Sequence, residues 1–135
     1  MDWYLTAIRK CTKLRGRSRR KEYWYFTLFN TIFYLGLGLI VAAIGSFQLT
    51  NFEPNLLLAT ITILFNLIYS LYSLGMIVTL FSVSVRRLHD IGKSAWWMLL
   101  YFLPLIGGIV LLIFYVQDSQ PGKNQYGSNP KRTEA

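Results

Sequence analysis

The chain of 135 residues carries 14 Lys and Arg against 6 Asp and Glu, a net charge of +8, yet 53% of it is hydrophobic and only 15% is charged. That balance excludes a disordered polar chain and leans away from a soluble domain, where about a quarter of residues are charged. The placement of charge narrows the class further, because residues 23–52, 54–85 and 95–117 contain no Asp, Glu, Lys or Arg.

A bilayer core about 30 Å thick takes about 20 apolar residues at a rise of about 1.5 Å each, and all three stretches reach that length. The competing reading, a soluble protein with a large helical core, lacks the polar surface needed to cover so many apolar residues. The sequence therefore predicts an all-α membrane protein with three transmembrane helices and a short interfacial N-terminal helix. Its parts are a cytoplasmic basic interfacial segment (1–22), a transmembrane helical domain (23–116) and a polar tail (117–135). No cleaved leader is expected, since polar and mixed residues precede the first span. The lone Cys11 makes no internal disulfide, and no Cys or His spacing calls for a metal or cofactor.

Along the chain, residues 2–13 set Trp3, Ile8 and Cys11, or Leu5 and Ala7, in loose helical spacing between Arg9, Lys10 and Lys13. This is an interfacial helix capped by Asp2, with Trp3 and Tyr4 at headgroup depth, or else an unstructured tail. The string L-R-G-R-S-R-R-K-E-Y-W follows at 14–24, a basic cluster against an apolar span, which suits anionic lipid headgroups rather than nucleic acid.

The first span covers about 23–46, with Asn30 as its strongly polar side chain and Gly36, Gly38, Ala42 and Ala43 permitting close helix approach. A loop at 47–55 holds Glu53 and turns at Pro54. The second span, about 56–85, is too long to stand upright, and its Thr60, Thr62, Asn66, Ser70 and Ser73 are read as interhelical hydrogen-bond formers. After a loop in which Gly92 turns the chain and Ser94 caps the next helix, the third span covers 95–116, with Pro104, Gly107 and Gly108 at its middle. One kinked crossing is the preferred reading, and a re-entrant hairpin is its rival.

Eight Lys and Arg precede the first span, none lie in the first loop, three lie in the second and three in the tail. With three crossings the N-terminus is cytoplasmic and the tail faces outward; a re-entrant third segment would bring the tail inside.

Three strings then become recognisable: G-R-S-R-R-K-E-Y-W at 16–24, R-R-L-H-D-I-G-K-S-A-W-W at 86–97 and P-G-K-N-Q-Y-G-S-N-P at 121–130. Together, and in this order, they make the chain resemble the YhaH-like family of small bacterial inner-membrane proteins, a domain of unknown function. The likeness extends over nearly the whole chain. It implies a multi-pass protein of the bacterial inner membrane and no activity, since none is assigned to the family. The family's motif positions fall on Gly16, Arg17, Arg19, Glu22 and Trp24; on Arg87, Leu88, His89, Asp90, Gly92, Ser94 and Trp97; and on Gly122, Asn124, Tyr126, Gly127 and Pro130.

His89 beside Asp90 is the one constellation suited to proton transfer near neutral pH, but no nucleophile accompanies it, and the favoured reading pairs Asp90 with Arg86 or Arg87, or has it cap a turn, with His89 an interfacial hydrogen-bond donor. The spans hold no ionisable group to relay charge, as transport would require. The favoured reading is a structural or interaction protein rather than an enzyme. In it Arg17, Arg19, Arg86 and Arg87 form a cytoplasmic basic rim, Glu22 and Asp90 are counter-charges, and His89, Trp24 and Trp97 flank the membrane boundary. Its partners would be anionic lipid headgroups, a second copy of the chain or another membrane protein, and not nucleic acid. The alternatives are an oligomeric transporter component and an enzyme acting on a lipid phosphate with His89 as acid or base.

Overall fold

The computed structural model describes residues 2–50 and 56–131. The expected cap at Asp2, the depth of Trp3 and the turn at Glu53 and Pro54 lie outside the described residues or side chains. Among the described residues all regular structure is helical: α1 (Asp2–Arg9), α2 (Arg20–Thr50), α3 (Leu56–Asp90), a 3-10 helix (Ala95–Phe102) and α4 (Ile106–Val116).

The two uncharged stretches become α2 and α3, of 31 and 35 residues, or about 46 and 52 Å at helical rise. Glu22 in the first turn of α2 suits the positive end of the helix dipole, and Arg87 and His89 in the last turn of α3 suit the negative end. Both helices are long and apolar enough to cross a membrane. Beyond α3, Gly92 takes φ +75°, which stops the helix, and a Cβ there would lie 2.6 Å from the Gln120 carboxamide oxygen.

The chain divides into two compact units, Leu28–Ile77 and Met1–Thr27 with Val78–Ala135, and α2 and α3 contribute to both. In Leu28–Ile77 the two helices pair antiparallel. Tyr72 donates to the Asn30 side chain at 2.8 Å, Phe33 meets Tyr72 edge-on at 5.2 Å, and Tyr34 packs on Tyr69 at 4.9 Å. Gly38 admits the Tyr69 hydroxyl, which would lie 3.6 Å from a Cβ, whereas Gly36 faces open space. Thr60, Thr62, Asn66, Ser70 and Ser73 each donate to a carbonyl three or four residues earlier in α3 itself. Among the described contacts, an interhelical hydrogen bond is supplied by Tyr72 and Asn30. A hydroxyl or amide on a lipid-facing helix finds its nearest acceptor one turn back along its own backbone.

The other unit gathers α1, the helix ends and everything after Ile77. Ala7 of α1 is buried, Tyr4 stacks on Phe26 at 5.6 Å, and the Ser82 hydroxyl donates to the carbonyls of Lys10 and Lys13 at 3.1 and 2.9 Å.

The third apolar stretch does not form the expected single kinked crossing. It folds back on itself as a hairpin of the 3-10 helix and α4. Tyr115 donates to the Met98 sulfur at 3.3 Å and Trp97 meets Phe114 edge-on at 5.2 Å, contacts that a continuous helix would hold about 25 Å apart. The reversal is a γ-turn: Leu105 adopts φ 66° and ψ −65°, and the Ile106 N–H donates to the Pro104 carbonyl at 2.8 Å. Gly107 makes the close approach feasible, since a Cβ there would lie 1.8 Å from the Leu100 carbonyl oxygen. At 11 residues, α4 reaches only about 16 Å, half a bilayer core. Ser94 takes the cap position of the 3-10 helix without a side-chain bond to it.

Candidate functional site

The basic string before α2 has no regular structure from Arg17 to Arg19, and the Ser18 N–H donates to the Arg86 carbonyl at 3.1 Å, which lays the first motif against the end of α3. Arg17 then turns all five of its N–H donors inward. Nε donates to Asp90 Oδ1 at 2.9 Å, Nη1 to the carbonyls of Gly122 and Gly127 at 2.8 and 3.3 Å, and Nη2 to those of Asp90 and Gln120 at 3.2 and 2.6 Å. A planar guanidinium with fixed donor directions is the side chain suited to filling such a cage of carbonyls.

Asp90 is the hub. Its Oδ2 accepts from Arg87 Nη1 at 2.6 Å and from the Ser119 hydroxyl at 2.5 Å, while its backbone carbonyl accepts from the Gln120 N–H at 3.0 Å. Arg87 also donates to the Tyr115 carbonyl at 3.2 Å and to that of Gln117, and Arg20 reaches the Val116 carbonyl at 3.3 Å. Two arginines thus satisfy the carbonyls left over at the end of α4, where the helix dipole favours positive charge. This explains how a cluster of two cations and one carboxylate is held with Arg87 and Asp90 fully buried.

Arg86 forms a separate buried pair with Glu22 at 2.7 Å, and its Nε and Nη2 meet no partner among the described residues. His89 points away from the carboxylate of its neighbour. Its ring lies flat on Tyr126 at 3.8 Å and 8°, and the Asn124 amide donates to its carbonyl at 2.9 Å.

Of the residues singled out in the sequence, Arg17, Arg87 and Asp90 meet in one cluster, and Arg86 and Glu22 in a second. Arg19 donates to the Pro130 carbonyl at 2.8 Å. Trp24 and Trp97, each 39% exposed, stand apart: Trp24 is edge-on to Tyr23, and Trp97 lies against Phe114. The freely exposed rim of Arg17, Arg86 and Arg87 is therefore corrected. These three are buried and paired, and the open cations are others, among them Arg9, Lys10, Lys13, Arg15 and Lys21.

The preferred sequence reading set the tail apart from the site, whereas the re-entrant alternative brought it alongside. Gln117, Ser119, Gln120, Gly122 and Gly127 all contribute contacts, and the tail packs on Arg17. A signal was present, because the third motif shares the Gly and Asn character of a tight turn, and Asn124 and Gly127 do exchange both backbone hydrogen bonds at 3.0 and 3.1 Å. Chemically, the buried cluster is a lock. All five N–H donors of Arg17 have acceptors, Arg87 is held by three, and both carboxylate oxygens of Asp90 accept.

The three motifs that meet in this lock lie within or at the edge of a family match over residues 11–128, to the family described as protein of unknown function (DUF805). Among curated proteins, the inner membrane protein YhaH of Escherichia coli K12 is 37% identical over 131 residues, 97% of this chain and 98% of that one. The inner membrane protein YhaI of the same organism is 35% identical over 131 residues, 97% of each chain. No solved structure matches the chain. On the extent of both matches, the chain belongs to the DUF805 family of membrane proteins of unknown function.

Proposed function

We propose that the chain is a two-crossing protein of the bacterial inner membrane and serves as a structural or interaction protein. In this reading α2 and α3 are the crossings, and the hairpin of the 3-10 helix and α4 enters from the cytoplasmic side and returns. α1 lies in the interface, and both chain ends face the cytoplasm. The basic cytoplasmic surface engages anionic lipid headgroups.

One observation carries the reading. All fourteen Lys and Arg lie in the unit Met1–Thr27 with Val78–Ala135, and Leu28–Ile77 holds none. A membrane protein keeps such residues on the cytoplasmic side, and a tail that wraps Arg17 shares the side of the N-terminus. The names of YhaH and YhaI as inner membrane proteins supply the compartment. The exposed cations add about 1 kcal/mol each to attraction toward an anionic leaflet, whereas the buried arginines add none of that kind.

The test is a pair of C-terminal fusions to the full chain. A fluorescent reporter that matures only in the cytoplasm should light up, and a phosphatase active only in the periplasm should stay silent. The opposite pattern would restore three crossings and remove this topology.

A further inference from the structure

Beside the buried lock, the same face carries a polar cleft of about 430 Å³ lined by Gly92, Lys93, Gln120, Lys123, Asn124 and Gln125. Its floor is built. The Asn124 amide is fixed by the His89 carbonyl at 2.9 Å and by Gln120 Oε1 at 3.2 Å, and Gln120 in turn occupies the space that a side chain at position 92 would need. Two ammonium groups flank it, and no carboxylate lines it. The described carboxylates nearby are engaged elsewhere: Asp90 with Arg17 and Arg87, Glu22 with Arg86, and Asp118 with Arg20 and Lys131.

Lys93 also links this cleft to an apolar one. Its ammonium lies 5.1 Å from the Trp97 ring centre and 5.5 Å from that of Phe114, within cation–π range. Trp97 together with Trp96, Leu99 and Leu103 lines a second groove of about 250 Å³ with an almost wholly apolar wall. A charged, amide-lined cleft whose Lys93 stands over the tryptophan of an apolar groove has the two-part chemistry of a phospholipid. The volume of the polar part exceeds what a bare phosphate needs and suits a headgroup.

We propose that Lys93 and Lys123 bind the phosphate of an anionic phospholipid whose acyl chain lies along Trp96, Trp97, Leu99 and Leu103. This rests on the cytoplasmic, headgroup-facing reading of the basic surface and adds a defined site to it. Two lysines supply donors to phosphate oxygens as point charges, and the Asn124 and Gln125 amides supply neutral ones.

The experiment uses the full chain in nanodiscs of phosphatidylcholine with a minority of phosphatidylglycerol, with retained lipid counted by native mass spectrometry. Wild type should retain phosphatidylglycerol. The double variant Lys93→Gln, Lys123→Gln should lose at least about tenfold in retention, as expected for two charge-assisted contacts. The double variant Lys13→Gln, Lys21→Gln, which removes the same charge from the diffuse basic surface, should lose distinctly less than the cleft pair, because exposed groups outside the cleft hold no defined lipid. Equal losses in both pairs, or no loss in the first, would overturn the site while leaving the surface's preference for anionic lipid intact. A wild type that retains phosphatidylglycerol no better than phosphatidylcholine would overturn the surface reading as well. Added inorganic phosphate separates the sources: binding of the free ion that depends on Lys93 and Lys123, with no lipid retained, would replace the phospholipid by a soluble phosphate and remove the proposal as stated.

Discussion

Leu28–Ile77 and the remainder of the chain are built on opposite plans. In Leu28–Ile77 no described residue is buried, and two apolar helices meet through contacts that include aromatic rings and a tyrosine–asparagine hydrogen bond. In the other unit the largest fully buried side chains include Arg86, Arg87 and Asp90 beside Phe26 and Leu88, and hydrogen bonds join residues more than a hundred positions apart. The first plan relies on lipid to cover its surface and can tolerate loose contacts. The second is tied by buried ion pairs and hydrogen bonds, and such a network fails when a central member is removed.

The largest effect should come from Asp90→Asn. It removes the carboxylate between two buried guanidinium groups, and such a change costs about 3–5 kcal/mol. Unfolding in mild detergent should show this as a large loss of stability; a near-neutral result would mean that the network is dispensable.

Gly107→Val should follow, because its side chain must displace the Leu100 backbone, at about 1–3 kcal/mol or more. Gly108→Val, one residue on and facing open space, is the matched control and should melt like wild type. If both variants behave alike, the hairpin contact is not what holds Gly107.

Leu105→Gly should act in the other direction. The side chain is 84% exposed and sits at φ 66°, so glycine relieves about 1 kcal/mol of backbone strain with little packing to lose.

Tyr72→Phe probes the loose region and should cost only about 0.6 kcal/mol, the average for an interhelical hydrogen bond within a membrane. A loss comparable to that of Asp90→Asn would erase the contrast between the two regions.

The smallest effect concerns Asp118, whose carboxyl is held below its ordinary value, first by the Lys131 hydrogen bond and then by the Ser119 N–H. A lowered carboxylate contributes stability above its unfolded value and loses it as pH falls through the folded one. Asp118→Asn should therefore slightly flatten the acid limb of the stability profile below about pH 4, where an unperturbed Asp titrates. The effect is small because Asp118 and Lys131 are about half exposed.

The two long helices were legible in the sequence because absence of charge over a bilayer's width is a property of composition alone. The reversal at 103–106 was legible only as the less favoured rival of a kink. Proline and two glycines also fit a kink, and the decisive events are a leucine in left-handed backbone and a glycine set against the carbonyl of residue 100, neither of which has a one-dimensional signature. The preference for a kink then shaped the reading of the site. With a third crossing the tail lies across the membrane, so Arg17, Arg86 and Arg87 have no partners to neutralise them and read as a free rim. Once the hairpin returns the tail, the carbonyls of Gln120, Gly122 and Gly127 reach Arg17. The pairing of Asp90 with a neighbouring arginine was legible, since Arg87 stands one helical turn before it. Its second partner, Arg17, lies 73 positions away and was not.

The distances along the chain within this lock bear on biogenesis. Arg17 leaves the ribosome early, and its acceptors at Gln120 and Gly127 follow 103 and 110 residues later. Until they arrive its guanidinium has water or lipid phosphate for company, and the helices can enter the bilayer before their ends are tied. Closure then waits for those residues, and a chain cut short before Gln120 leaves Arg17 without the carbonyls of Gln120, Gly122 and Gly127. Such a fragment would insert and yet present an unsealed end to the proteases that survey the membrane.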